Sequence, residues 1–94
     1  MITSDNLAAL DLIQYELETQ ITYAAIIEAE DLYHEEEDSI VRAFTFNQGE
    51  REEVVIIGST GTIHKHWNAS KKRITGNLIM DVISTLFGIL DKLD

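Results

Sequence analysis

The sequence predicts an α+β fold with helices on one side of an antiparallel sheet. Apolar residues at helical spacing near each terminus predict the helices, and an alternation of period two between them predicts the sheet. Ninety-four residues are enough for one domain, which we expect to span residues 1–94. The expected element order is α(α)βββα, with one or two N-terminal helices, a three-stranded meander and a C-terminal amphipathic helix.

The N-terminal segment has the pattern of an amphipathic helix. Ser4 suits a helix N-cap, and apolar residues then recur every three or four positions up to residue 24. Glu28 would fall on this apolar stripe, so the pattern predicts a break near residues 19–22 and a second helix to about Tyr33. The stripe consists of Leu10, Ile13, Leu17, Ile21 and Ala24.

From Ile40 the pattern changes to alternation, which is typical of strands. The stretches NQGE (47–50) and STGT (59–62) predict turns, and Gly49 is free to adopt a positive φ. The segment 53–57 is apolar on both faces, as in a central strand, and 63–67 completes a three-stranded meander. In the first strand we expect one side to carry Ile40, Arg42, Phe44 and Phe46.

The C-terminal segment, residues 75–94, predicts a strongly amphipathic helix. It is too short and too polar for a membrane span. Its wide apolar face predicts packing on the sheet or pairing with a second copy of the chain. The apolar stripe consists of Leu78, Val82, Leu86, Ile89 and Leu93.

The net charge of −10 is unevenly placed along the chain. Residues 1–41 contain eleven carboxylates and no Lys or Arg, whereas residues 42–94 contain six carboxylates and seven basic residues. Such asymmetry suggests a surface with an electrostatic role. The chain has no Cys, which excludes disulfides and thiolate metal sites. No basic region precedes an apolar run at the N-terminus, so we expect a cytoplasmic protein without a secretory signal.

The sequence contains no catalytic motif. It has no Gly-x-Ser-x-Gly elbow, and GSTG (58–61) lacks the Lys of a phosphate-binding loop. His64 and His66 would face the same way on a strand, and with His34 and Glu35 they would make a metal site. The alternative is that they are ordinary surface histidines. We expect no enzyme activity, no cofactor and no bound metal.

The only basic cluster lies in residues 64–73. It includes Lys71, Lys72 and Arg73, and the aromatic Trp67 would allow base stacking. A net charge of −10 repels a polyanion, however, so we expect no direct nucleic-acid binding. We expect the three basic residues to pair with the protein's own acidic half or with an acidic patch on a partner.

Seven of the eleven residues from Glu28 to Asp38 are carboxylates. Such a run either keeps a solvated surface soluble or imitates nucleic acid, because each DNA strand presents a phosphate about every 3.4 Å. The second interpretation predicts a surface that binds a partner protein. Its residues would be Glu28, Glu30, Asp31, Glu35, Glu36, Glu37 and Asp38, supported by Asp11, Glu16, Glu18, Glu50, Glu52 and Glu53.

The segment EDSIVRAFTFNQGEREEVVIIGSTGTIHKHW (37–67) resembles the hairpin region of the phage uracil-DNA glycosylase inhibitor family, which consists of acidic DNA mimics. After Trp67 we expect the chain to turn helical, where that family continues as a strand, and the family's enzyme-contacting Gln-Glu-Ser-Ile segment is absent. No functional residue is therefore carried over. An ungapped match keeps Ile40, Glu52, Val54, Ser59, Lys65 and Trp67.

This resemblance implies a wider class of small acidic phage-type inhibitors that disable host DNA-binding proteins. The expected partner is a basic DNA-binding protein of the host, such as a nucleoid-associated protein or a restriction or repair enzyme. The expected mechanism is occlusion of the partner's DNA site. The alternative is a homodimeric interaction or adaptor module that pairs through its C-terminal helix and whose acidic face only confers solubility.

Overall fold

Two helices and four strands make up the part of the chain that the structure, a computed structural model, describes: residues 4–68 and 77–93. Each strand pairs antiparallel with the next, so the spatial order β1-β2-β3-β4 follows the chain. The α+β class is confirmed, with four strands rather than three. The elements are α1 (Ser4–Gln20), β1 (Ala25–His34), β2 (Ser39–Gln48), β3 (Arg51–Gly58), β4 (Ile63–Asn68) and α2 (Asn77–Leu93).

Both helices pack on one face of the sheet, which we call the inner face. Alternate residues of β2 and β3 point toward the helices, among them Phe44, Phe46, Val55 and Ile57, all at most 1% exposed. The helix stripes predicted from the sequence supply the other half of this core. The buried helix residues are Leu10, Ile13, Leu17, Leu78, Val82, Leu86 and Ile89.

The predicted second helix is wrong, because residues 25–34 form the strand β1. Glu28 lies opposite Thr45 and Glu30 opposite Ala43, so both carboxylates point away from the helices. On a helix, Glu28 would have fallen on the buried stripe. Ala, Glu and Leu favour helices intrinsically, but pairing with a neighbouring strand overrides so weak a preference.

The predicted turns at 47–50 and 59–62 are confirmed, and a third turn at 35–38 joins β1 to β2. Gly49 has φ 64°, the left-handed conformation that glycine adopts without strain. Asp38 has φ 48° and its N–H donates a hydrogen bond to the Glu35 carbonyl at 3.2 Å. The 35–38 and 59–62 turns lie at the same end of the sheet because the strands alternate in direction.

The opposite face of the sheet, which we call the outer face, is covered by neither described helix. Ala43 lies opposite Ile56 there, and Thr45 opposite Val54, and all four side chains are half-buried. A sheet covered on one side normally alternates buried and solvated residues in this way. Among the described helices, neither is long and apolar enough to cross a membrane.

A hydrogen bond ties the segment between α1 and β1 to the second helix. The Tyr23 hydroxyl donates to the Asp81 carboxylate of α2. Partial burial, together with this hydrogen bond, raises the pKa of Tyr23 to about 12. Tyr23 therefore holds its proton more firmly in the folded protein than in the unfolded chain, where tyrosines titrate near pH 10.

We expect Tyr23 to contribute stability that is present below pH 10 and is lost as the pH rises from about 10 to about 12. The difference in free energy of unfolding between wild type and Tyr23→Phe should shrink over this range. We expect a change of at most about 1 kcal/mol, since solvent screens a side chain that is 43% exposed. Urea unfolding of both proteins between pH 9 and 12 measures it, and a constant difference would contradict the expectation.

Candidate functional site

A line of carboxylates follows one edge of the sheet. β1 has only one neighbouring strand, and eight of its ten residues are exposed. Two of its glutamates project from the outer face, and three more follow in the 35–38 turn, all exposed. Residues two apart on a strand lie about 7 Å apart, so the turn is the denser part of the line. We call this surface the acidic edge, and it consists of Glu28, Glu30, Glu35, Glu36 and Glu37.

Most of the acidic edge has no cation to balance it. Within residues 4–68 and 77–93, no ion pair joins Glu28, Glu30, Glu35 or Glu36 to a basic side chain. The fifth member, Glu37, lies beside the ring of His64. The basic residues expected to pair with the acidic half, 71–73, lie outside the described residues. The acidic edge therefore concentrates negative charge at the margin of the sheet.

Asp31 is not part of this surface, because it faces inward and binds Arg42. The Arg42 Nε donates to Asp31 Oδ1 at 2.5 Å and Nη2 donates to Oδ2 at 3.2 Å, a two-pronged contact. Nη1 donates to Asp11 of α1 at 2.8 Å. Hydrogen bonds to Asp31 raise the pKa of Arg42 above its usual value, against the opposing effect of burial. Arg42 thus joins α1, β1 and β2.

The acidic residues near the first predicted hairpin do not extend the acidic edge. Glu53 is 6% exposed on the inner face, where its carboxylate lies 3.1 Å from the Nε2 of His66. Glu53 is therefore not part of the exposed acidic edge. Glu52 is half-buried two strands away from β1, and Glu50 lies in the turn at the opposite end of the sheet from residues 35–38.

The acidic residues of α1 lie on the other side of the molecule, because α1 packs on the inner face. Asp11 is engaged by Arg42. Glu16 accepts a hydrogen bond from Gln20, and Glu18 accepts one from Gln14. Asp38 ends the 35–38 turn and accepts a hydrogen bond of 2.6 Å from the Tyr33 hydroxyl. The structure therefore divides the predicted surface between two faces of the sheet.

A shallow apolar depression of about 280 Å³ lies beside the acidic edge on the outer face. Glu28 and Glu30 form one side of it, and Trp67, 38% exposed, forms the other. Sequence analysis missed this feature because it assigned residues 25–33 to a helix. The alternation of Glu28, Glu30 and Leu32 was the signal that would have found it. The depression is completed by Leu32, Ala43, Thr45, Val54 and Ile56.

The histidines do not share one face, contrary to the sequence prediction. A register shift between Ile56 and Ile57 leaves His64 as an extra residue of β4, so its ring turns to the outer face beside Glu37. His66 faces inward and contacts Glu53. The donor atoms that do converge belong to His34, Glu37 and His64, and all lie within 4.8 Å of one another. Glu35, expected in such a site, is replaced by Glu37.

Comparison of the chain with protein-family models, curated proteins and solved structures found no match.

We expect Arg42→Ala to lower the free energy of unfolding by about 2–4 kcal/mol, because a buried aliphatic stem and the bond to Asp31 are lost together. Asp11→Asn should cost less than about 1 kcal/mol, since the Asp11 side chain is 72% exposed. Urea unfolding measures both values, and a double-mutant cycle with Asp31→Asn isolates the ion pair. Equal losses of unfolding free energy for Arg42→Ala and Asp11→Asn would show that Arg42 does not hold α1, β1 and β2 together.

Proposed function

We propose that this protein is an acidic DNA mimic that binds a basic DNA-binding protein and occludes its DNA site. The observation that carries the proposal is the acidic edge, in which exposed glutamates are collected on one margin of the sheet with no balancing Lys or Arg among the described residues. A nucleoid-associated protein or a restriction or repair enzyme of a phage host is the class of target that this chemistry suits, and its compartment is the cytoplasm.

Two features support a rigid rather than a diffuse negative surface. Glu28 and Glu30 are held in register by pairing of β1 with β2. The 35–38 turn is closed by its own hydrogen bond and by the bond from Tyr33 to Asp38. Fixed charges lose little conformational freedom on binding, so a preorganised line of carboxylates competes with DNA better than a flexible tail.

The depression on the outer face gives the proposal a source of specificity. Charge alone would attract any basic protein, because electrostatic steering does not require a defined geometry. An apolar side chain of the target that enters the depression next to Glu28 and Glu30 would add a contact that DNA does not offer. The mimic would then be selective for a basic groove with an apolar residue beside it. No catalytic step is part of this mechanism.

The same charges have a second physical use, which any test has to separate. An edge strand exposes unpaired backbone groups, and charged side chains on it prevent association with the edge of another sheet. Substituting neutral residues would therefore confound lost binding with aggregation. Substituting Lys keeps the edge charged and reverses only the sign, so it leaves this protection in place.

We expect Glu28→Lys/Glu30→Lys to weaken binding to the target at least about a hundredfold, because like charges then face one another across the interface. The control is Glu16→Lys/Glu18→Lys, which changes the net charge equally on the helix side of the sheet. Lys is well tolerated near the C-terminal end of a helix, so the control should fold and bind normally. Circular dichroism verifies the fold of both variants.

The measurement is a pull-down from bacterial lysate with wild type and both variants as bait. The wild type and the control should retain a basic DNA-binding protein, and duplex DNA or high salt should release it. High salt acts because the Debye screening length falls to about 3 Å at 1 M salt. The purified target should lose its DNA when wild-type protein is added. The proposal would be contradicted by a captured protein that stays bound in the presence of both DNA and high salt. It would also be contradicted if binding were weakened equally in both double variants.

A second candidate function is favoured by two exposed apolar residues on α2. Met80 and Phe87 are 61% and 64% exposed and lie seven positions apart, on the same side of the helix. They suit a homodimeric adaptor whose acidic residues only confer solubility. The main stripe of α2 is buried in the protein's own core, so this outer side is the pairing surface that remains.

Sedimentation of the wild type and of Met80→Glu/Phe87→Glu separates the two candidates. A homodimeric adaptor predicts a wild-type dimer that this variant converts to a monomer, while Glu28→Lys/Glu30→Lys leaves the dimer intact. The DNA mimic predicts that target binding survives Met80→Glu/Phe87→Glu. A monomeric wild type would remove the second candidate.

A further inference from the structure

Three side chains meet on the outer face at the end of the sheet that carries the 35–38 turn. His34 is the last residue of β1, Glu37 lies in the turn, and His64 lies in β4, three strands across the sheet from β1. The rings of His34 and His64 have centroids 4.5 Å apart, and Glu37 Oε2 lies 3.4 Å from His64 Nε2. Nothing in the acidic edge requires two histidines at this place.

Gly58 makes this meeting possible. It belongs to β3, which lies between the strand that ends at His34 and the strand that contains His64. The ring of His64 lies directly over the backbone of Gly58. A Cβ at position 58 would stand 2.8 Å from His64 Nε2 and 3.5 Å from Glu37 Oε2. The φ of Gly58 is not in the left-handed region, so the backbone does not require glycine. The requirement comes from the space that the side chains of His64 and Glu37 occupy.

Two ring nitrogens in this cluster are buried without a hydrogen-bond partner among the described residues: Nδ1 of His34 and Nε2 of His64. Buried polar atoms are normally satisfied, so a pair of unsatisfied nitrogens beside a carboxylate calls for an explanation. The distance of 3.4 Å from His64 to Glu37 is longer than an ordinary N–H···O hydrogen bond of about 2.7–3.2 Å.

The same distance fits two ligands of one metal ion. Tetrahedral Zn²⁺ with bonds of about 2.1 Å holds its ligand atoms about 3.4 Å apart. The other donor atoms are within 4.8 Å, so a side-chain adjustment of about 1 Å or more closes the set. Two imidazoles and one carboxylate are a donor set that Zn²⁺ and neighbouring first-row ions accept, with water in the fourth position.

We propose that His34, Glu37 and His64 bind a divalent transition-metal ion, with Zn²⁺ as the ion that fits their geometry. The negative charges of Glu35 and Glu36, which lie between His34 and Glu37 in the chain, favour a cation there. Glu37 is 40% exposed on its side chain, which leaves a path for the ion to enter, whereas His64 is 15% exposed. The bound ion clamps the 35–38 turn onto β4. This inference does not depend on the DNA-mimic function.

The first test is a zinc titration of the 94-residue chain after treatment with EDTA and removal of the chelator, with a chromophoric chelator as competitor. We expect one equivalent per chain and a rise in melting temperature on saturation. His34→Ala, His64→Ala and Glu37→Gln should each weaken binding at least about 10–100-fold, the loss that follows even removal of a partner that only orients a ligand. Gly58→Ala should weaken binding as well, because its methyl group displaces His64.

Two matched controls come from the same elements. His66→Gln removes a histidine from the same strand but from the inner face, and Glu36→Gln removes the glutamate next to Glu37. Both should leave zinc affinity nearly unchanged. A second readout on the unmodified protein avoids any effect of substitution on folding. Zinc should shift the ring resonances of His34 and His64 in NMR spectra and leave those of His66 in place.

Two results would overturn the proposal. One is zinc binding of equal affinity by the wild type and by His34→Ala/His64→Ala, which would mean diffuse binding to the acidic chain. The other is the absence of any change in the His34 and His64 resonances at saturating zinc, which would leave an ion pair between His64 and Glu37 as the whole role of the cluster.

Discussion

Burial of one face of the sheet under two helices is the constraint on which the rest of this structure depends. Phe44, Phe46, Val55 and Ile57 of the inner face need apolar cover, and the stripes of α1 and α2 provide it. Because side chains alternate along a strand, fixing the inner face also fixes what the outer face presents. Neither described helix covers the outer face or the edge of β1, where the acidic edge, the apolar depression and the histidine cluster lie.

Arg42 illustrates how this constraint sorts the charges of the chain. Its position in the alternation of β2 places it on the inner face, where a guanidinium needs partners to be buried. Asp31 and Asp11 supply them, so their charges are paired with Arg42 although both side chains stay exposed. Glu53 is removed in the same way by His66. The glutamates that remain exposed without a basic partner on the outer side of the sheet are those of the acidic edge, a smaller set than the carboxylate count implies.

The acidic edge and the cluster of His34, Glu37 and His64 meet at the 35–38 turn. Glu35 and Glu36 extend the acidic edge outward, whereas Glu37 turns back toward His64. Glu37 can approach His64 because Gly58 of β3 has no side chain where the His64 ring lies over the sheet. The 35–38 turn therefore carries exposed carboxylates and also contributes Glu37 to the cluster with His34 and His64.

The sequence by itself determined the α+β class, both helix stripes, the alternation of β2 and the turns around Gly49 and 59–62, because these depend on local periodicity and turn chemistry. It did not determine β1, since a segment rich in Ala and Glu becomes a strand only when a neighbouring strand pairs with it. Nor did it determine which carboxylates are exposed or that His64 meets His34. Those depend on strand register and a bulge, which bring together residues distant in the chain, and only the tertiary structure decides them.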